Sequence, residues 1–258
     1  MARPLVFITG ASSGIGQALA ARYYQAGWDL TLAARRAGEI QAWAAREQLD
    51  PTRYAVYVAD VAQTGSIVAA GHRCLAQQGV PQVVIANAGI SIGVDTAIRE
   101  DLDVIARTYA TNNVGLAATF HPFIAPMAGR GSGTLVGIAS VGGIRGMPGH
   151  GAYCASKAAV ISYCESLRGE LGPSGVKVVT ICPGYVDTPL TRRNRYRMPF
   201  LLQPAEFADR AFRAIGRGSS WRVIPWQMGI AVIVLRWLPN RLFDRLLAGR
   251  PRKRRQGE

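Results

Sequence analysis

Side chains that build metal centres or disulfide frameworks are scarce in this chain. There are three histidines and four cysteines, Cys74, Cys154, Cys164 and Cys182; the cysteines show no C-x-x-C spacing and no histidine cluster accompanies them. That excludes the usual zinc and disulfide scaffolds and fits reduced thiols in a cytoplasmic compartment. Long hydrophobic runs are also missing. The apolar run Gly229 to Leu235 falls far short of the roughly 20 residues that cross a bilayer, so it is no ordinary transmembrane helix. The N-terminus, MARPLVFITG, reaches glycine after a short apolar segment and has no small-residue cleavage site, which argues against a signal peptide. Acidic residues are few: 16 against 30 Lys and Arg, for a net charge of +14. Sixteen of the basic side chains but only four of the acidic ones lie from Pro189 to Glu258, so the first 188 residues are nearly neutral. Whatever the positive charge does, it does at the C-terminal end.

With 258 residues, 49% of them hydrophobic, the chain can bury a full core as one globular domain. Short β-branched runs alternate with helix-length segments, as in repeated βαβ units around a parallel sheet. The candidate strands are LVFIT (5–9), DLTLAA (29–34), YAVYV (54–58), QVVIA (82–86), TLVGIA (134–139), VKVVTI (176–181) and WRVI (221–224). Helical stretches start near Gly14, Gly38, Thr64, Asp101, Gly151 and Pro204. The pattern predicts a single α/β domain of Rossmann type over residues 1–224: a doubly wound parallel sheet of about seven strands, binding its ligand at their carboxyl ends. Residues 225–258 form a separate apolar and basic extension.

The segment TGASSGIG (9–16) follows the first strand and opens the first helix. Glycines there let the backbone turn tightly and approach a pyrophosphate, which free N–H groups and the helix dipole can hold. With Thr9, Gly10, Gly14 and Gly16 in T-G-x-x-x-G-x-G order, the sequence resembles the short-chain dehydrogenase/reductase family. The resemblance runs from about residue 4 to 224. It implies that Ser12, Ser13 and Ile15 line the same turn, that Asp60 and Val61 reach the adenine, and that Asn87, Ala88 and Gly89 of ANAG form the cofactor-side turn. Ala86 replaces the first asparagine of the family's N-N-A-G. At the end of the second strand stand Arg35 and Arg36, where a carboxylate would mark NAD(H); paired with a 2′-phosphate, they favour NADP(H) over NAD(H).

Tyr153 and Lys157 in YCASK are four apart and share one helical face. A free phenol, with a pKa of roughly 10, is a poor acid–base group at neutral pH, and a nearby ammonium would lower it. Ser140 lies thirteen residues before Tyr153, the family's own interval. The resemblance implies Tyr153 as acid/base, Lys157 as its pKa modifier and ribose contact, Ser140 as donor to the substrate oxygen, and Asn112 of TNNVG as support of a proton relay. Adjacent Asn113 leaves a one-residue ambiguity. After the sixth strand, CPGYVDTP resembles P-G-x-V-x-T, so that Pro183, Gly184, Val186 and Thr188 would border the nicotinamide. His150 could line the cleft, although a loop histidine is commonly exposed, and Cys154 reads as a packed thiol.

The expected function is an NADP(H)-dependent oxidoreductase interconverting a carbonyl and a secondary alcohol, acting on a small and lipophilic molecule as a homo-oligomer. A non-enzymatic NADP(H)-responsive binding protein is the rival. TRRNRYRMPF (191–200) occupies the place of the substrate lid, and its arginines suit an anionic substrate or an acidic lipid headgroup, with a solvated loop as the default. Beyond Pro225, Trp226, Trp237 and the apolar face Leu242, Phe243, Leu246 and Leu247, followed by RPRKRR, suit peripheral contact with an anionic membrane. Two other readings remain open: the segment covers the cleft, or packs across a homodimer and leaves a disordered basic tail. No nucleic-acid module accompanies the charge, so no specific nucleic acid is expected.

Overall fold

The computed structural model describes residues 3–192, 194, 196–249 and 252–257. Seven strands, β1 (Leu5–Thr9), β2 (Asp29–Ala34), β3 (Tyr54–Val58), β4 (Val83–Ala86), β5 (Gly133–Ile138), β6 (Val176–Pro183) and β7 (Trp221–Ile224), form one sheet in the order β3-β2-β1-β4-β5-β6-β7. Every adjacent pair is parallel. The order reverses between β1 and β4, which opens a crevice at their carboxyl ends. Because helices cover both faces, the strands read as apolar runs. Phe7, Val84 and Leu135 point into one core and Val6, Ile85 and Val136 into the other.

Helices α1 (Gly14–Gln25), α2 (Ala37–Arg46) and α3 (Thr64–Gln77) follow the first three strands. The single helical stretch expected from about Asp101 is longer and interrupted. α4 (Arg99–Tyr109) passes through a π-helical turn, Ala110–Val114, into α5 (Gly115–Arg130). The interruption has a local cause: the Asn112 side chain bonds the Ile90 backbone, and a Cβ on Gly115 would stand 2.6 Å from the Val61 carbonyl oxygen. α6 (Gly151–Leu171) carries Tyr153 and Lys157, and α7 (Pro204–Gly216) packs on α1.

The extension is helical: α8 (Trp226–Trp237) and α9 (Asn240–Leu247). Met228, Gly229 and Val232 bury one side of α8, with Gly229 close to Val223 of β7. Arg145 holds the other end, donating to the carbonyls of Leu235, Arg236 (3.1 Å) and Leu238 (2.7 Å) and lying 3.8 Å from the Phe243 ring centroid. A cation at the C-terminus of α8 complements its dipole. All four cysteines are buried and free.

Candidate active site

The glycine turn is built as its composition requires. Gly10 and Gly14 have φ of 68° and 58°, where side chains are disfavoured. Gly16 is needed for space, since a Cβ there would lie 2.3 Å from the Gly10 carbonyl oxygen. Ser13 at the N-cap of α1 makes no side-chain cap, which leaves first-turn N–H groups for an anion. Asn87 pins the turn from β4: its Nδ2 donates to the carbonyls of Thr9 (3.0 Å) and Gly10 (3.4 Å). The Thr9 hydroxyl in turn accepts from the N–H groups of Asn87 (3.1 Å) and Ala88 (3.2 Å). Several residues assigned to cofactor contact thus hold one another in place.

At the end of β2, Arg36 Nη2 donates to the hydroxyls of Ser12 and Ser13, 3.3 Å each, while its Nη1 pairs with Glu39 at 3.1 Å. Arg35 lies 3.9 Å from Asp60. Asp60 also accepts from the Ala62 N–H at 3.0 Å, so it shapes the entry to α3 as well as facing the arginine. Ile15 packs against the core, and Val61 is buried against Gly115. Pro183 ends β6, the Gly184 N–H donates to Ile224, and Val186 bridges Leu202. Thr188 lies over the glycine turn, where a Cβ on Gly14 would stand 3.2 Å from its own Cβ. Glycines that exclude Cβ atoms, an uncapped helix start and two arginines beside them fit a phosphate-bearing dinucleotide.

Ser140, Tyr153, Lys157 and Asn112 converge at the ends of β5 and β4. The Ser140 hydroxyl accepts from the Gly142 N–H at 3.1 Å, and a Cβ on Gly142 would stand 3.4 Å from the Tyr153 ring and 3.5 Å from Ser140 Oγ, so the two side chains face one spot. Lys157, 4% exposed, donates to the Ile138 carbonyl at 2.8 Å, with its Nζ 6.0 Å from the Tyr153 ring centroid. A Cβ built on Gly89 would come within 3.2 Å of Asn112 Oδ1 and 3.4 Å of Lys157 Nζ, so that turn brings both groups to one place. Between the two neighbouring asparagines, it is Asn112 whose carboxamide reaches the Ile90 backbone, while Asn113 donates to the Ser156 carbonyl at 2.8 Å.

The electrostatics differ from the expectation of a lowered phenol. Burial pushes Tyr153 up to about 12, against a smaller downward pull from the nearby Ser140 hydroxyl. Burial also pulls Lys157 down, to about 8. With the ammonium directed at a carbonyl rather than at the phenol oxygen, desolvation governs both groups.

Other residues at the centre were not legible as site residues. Ser156 accepts from Asn112 Nδ2 (2.9 Å) and donates to the Tyr153 carbonyl (2.8 Å), linking asparagine to the helix that carries the tyrosine. Its place directly before Lys157 was the available signal. His150 is buried, not exposed; its Nε2 is 3.4 Å from the Tyr196 hydroxyl, and the two rings stack edge to face. Cys154 is a buried thiol, as expected. Arg193 and Arg195 of the arginine-rich lid lie outside the described residues, as do Arg250 and Pro251 of the basic tail. Arg192 is engaged in a two-point ion pair with Asp187. In the described tail, residues 252–257 return over the loop after β4, and Lys253 Nζ donates to Ser91 Oγ at 2.8 Å. Among the described residues, no group of three or more His, Cys, Asp or Glu is placed to hold a metal ion.

A doubly wound parallel sheet with a glycine turn at its switch point and a Ser–Tyr–Lys cluster on the same edge defines a dinucleotide-binding oxidoreductase fold. The short chain dehydrogenase family model matches residues 4–198, and the chain belongs to that family. It is 35% identical over 237 residues to an uncharacterized oxidoreductase of Myxococcus xanthus, covering 92% of this chain and 93% of that one. It is 30% identical to dehydrogenase/reductase SDR family member 7B of Mus musculus, over 98% of this chain and 83% of that protein. Among solved structures, a short-chain dehydrogenase from Sphingobium yanoikuyae in complex with NADPH superposes with a TM-score of 0.78 at 27% identity, covering 99% of this chain and 98% of that one. One from Burkholderia phymatum in complex with NAD superposes with a TM-score of 0.81 at 24% identity, over 96% of each chain, and shares the fold.

Proposed function

We propose that the protein is an NADP(H)-dependent oxidoreductase that interconverts a ketone and a secondary alcohol, with Tyr153 as acid/base. The observation that carries this reading is the placing of the Ser140 hydroxyl and the Tyr153 ring around Gly142 beside a buried Lys157, on the edge that bears the glycine turn. Bound at that turn, the dinucleotide would supply or accept the hydride at its nicotinamide. Residues of this chain handle the oxygen and its proton. Ser140 donates to the carbonyl oxygen and orients it. Tyr153, held up at about 12, is a neutral phenol at neutral pH and gives its proton to that oxygen as the alcohol forms. In the oxidative direction it takes the proton back. Lys157 would hold the ribose of the bound dinucleotide, and Asn112 with Ser156 fixes the helix turn behind it. Arg36, next to Ser12 and Ser13, supports NADP(H) over NAD(H) by supplying a guanidinium to the 2′-phosphate.

Tyr153→Phe should abolish ketone reduction while leaving NADPH affinity within about threefold, read by NADPH fluorescence and turnover on a ketone panel. Retained reduction would refute the assignment of Tyr153. Cofactor binding by the unmodified protein without turnover on any ketone would favour the non-enzymatic binding protein.

A second reading concerns the extension. The solvent side of α8 is apolar: Trp226, Ile230, Ile233, Val234 and Trp237 are exposed, Trp237 by 84%, and Leu242 and Leu246 of α9 add to the patch. Arg236, Arg241 and Arg245 flank it against Asp244 alone. A cavity of about 230 Å³ at the N-terminus of α8 is lined by Arg210, Arg213, Arg217 and Arg222 as well as Trp226. The occupant these features suit is an anionic membrane surface. A two-fold interface with a second copy would bring this cationic face against itself. No helix among the described residues is long and apolar enough to cross a membrane, so the contact would be peripheral. Truncation after Pro225 would also expose β7, so the test is Ile233→Asp combined with Trp237→Asp, in co-sedimentation with phosphatidylglycerol-containing and neutral vesicles. Loss of binding to the anionic vesicles supports the reading. Equal binding by wild type and variant, or a dimer in ultracentrifugation that the variant abolishes, overturns it.

A further inference from the structure

The basic tail is seated on the substrate side of the molecule by contacts that the body has made room for. The Gly93 N–H donates to the Arg254 carbonyl at 2.8 Å, and Gly93 pairs with Arg255 as a parallel bridge. A Cβ on Gly93 would stand 2.2 Å from the Lys253 carbonyl oxygen, and one on Gly149 would meet the Arg252 side chain at 2.9 Å. Any larger residue at Gly93 would push the tail away. Arg255 clamps the buried Asp101 at two points, Nε to Oδ2 at 2.6 Å and Nη2 to Oδ1 at 3.2 Å. Arg252 lies 3.9 Å from Asp95, and Arg107 donates to Gln256.

Lys253 goes elsewhere. Its ammonium reaches past these anchoring pairs to the Ser91 hydroxyl and lies 6.0 Å from the Tyr153 ring centroid. Lys157 and Lys253 thus both stand at that distance from the one ring. Burial holds the His150 imidazole below its ordinary value, and the Lys253 charge adds to the effect, so no cation from His150 competes with it at neutral pH.

We infer that Lys253 is a specificity-determining residue of the substrate cleft, and that the tail makes the enzyme select ketones carrying an anionic group, such as a carboxylate, within a few bonds of the carbonyl. This rests on the reading of Tyr153 as the reacting group. A half-buried ammonium beside the Tyr153 ring would gain a charge-assisted hydrogen bond with a carboxylate and nothing comparable from an ester of the same shape.

The probe is a matched pair, 4-acetylbenzoate and its methyl ester, titrated calorimetrically into the full chain with NADP+ present, so that the result does not depend on turnover. The wild type should bind the acid more tightly than the ester. Lys253→Met should weaken acid binding about tenfold or more and leave the ester within twofold; Lys253→Arg should restore most of the loss. Truncation after Gly249, which keeps α9, should match Lys253→Met for the acid. If the wild type does not prefer the acid, or binds neither compound, the inference is wrong. If Lys253→Met or truncation tightens both compounds alike, the tail is an occluding plug and the inference is equally wrong. Turnover of the same pair is a separate readout. Failure to reduce either ketone would sink the reaction assigned to Tyr153, while the binding ratio would still decide the role of Lys253.

Discussion

Lys157 should destabilise the fold it serves, and replacing it with methionine exposes that cost. Its side chain is 4% exposed, and burial pulls its pKa from 10.5 to about 8. The folded state therefore binds the lysine proton less tightly than the unfolded chain does. Below pH 8 both states are protonated and the buried ammonium costs about 3 kcal/mol of stability. Between pH 8 and 10.5 the unfolded state carries more protons, so stability rises with pH and most of the cost disappears. Lys157→Met removes this dependence but leaves the Ile138 carbonyl without its donor, a loss of about 1 to 3 kcal/mol. The variant should be at least as stable as wild type at pH 7 and less stable by about 1 to 3 kcal/mol near pH 10.5. Urea unfolding of both proteins across that range reads the difference. Cys164 and Cys182, facing the lysine and pushed up to about 11 and 12, are largely protonated throughout, and other groups cancel in the subtraction. A difference that stays constant from pH 7 to 10.5 would refute the reasoning. Ketone reduction by the variant should fall at least a hundredfold over the same range.

Further outcomes follow from single contacts. Arg36→Ala should raise the NADPH Kd about tenfold or more and leave NADH within twofold, since only the 2′-phosphate calls on its charge; equal losses would deny it that role. Gly16→Ala places a methyl group against the Gly10 carbonyl and should cost about 1 to 3 kcal/mol in unfolding experiments and most of the dinucleotide affinity. Ser156→Ala breaks the link from Asn112 to the Tyr153 carbonyl; it should lower kcat several-fold with little change in KM, and an effect on KM alone would contradict a role behind the tyrosine. Asp101 is held below the usual carboxylate range by its bond from Arg255, so tail docking through this pair is present at neutral pH and is lost as pH falls through that lowered value. Asp101→Asn should mimic the acid state at pH 7, seen as faster trypsin cleavage at Arg252 to Arg255.

Local patterns carried the strands and the reacting cluster into view, because both depend on spacing within one element or the next. β1, β2, β3 and β7 begin and end at the expected residues, since apolar β-branched runs are bounded there by turn residues. β4, β5 and β6 shift by one or two positions where backbone pairing with a neighbour, not composition, sets the end. The Ser140–Tyr153–Lys157 set is read along a strand end and a single helix. What stayed hidden depends on contacts between distant residues. The π-turn exists because Asn112 must reach Ile90, and the raised Tyr153 pKa follows from burial, which the four-residue spacing to Lys157 does not encode.

The C-terminal charge shows the same limit with a functional consequence. As a sequence, α8, α9 and RPRKRR form one apolar and basic unit, and a single role for it is the natural reading. In the fold the unit divides. The helices leave an apolar face with arginines at its margin, while Arg252, Lys253 and Arg255 are drawn away to Asp95, Ser91 and Asp101. Charge paired with Asp95 and Asp101 is less available to a lipid surface, so membrane affinity should depend on Arg236, Arg241 and Arg245 more than on Arg252 and Arg255. Of the three tail cations, Lys253 is the one that stands beside the Tyr153 ring, where we place its effect on what enters the cleft. Gly93 and Gly149, unremarkable in the sequence, are the positions that permit this division, because a side chain at either would collide with the returning tail.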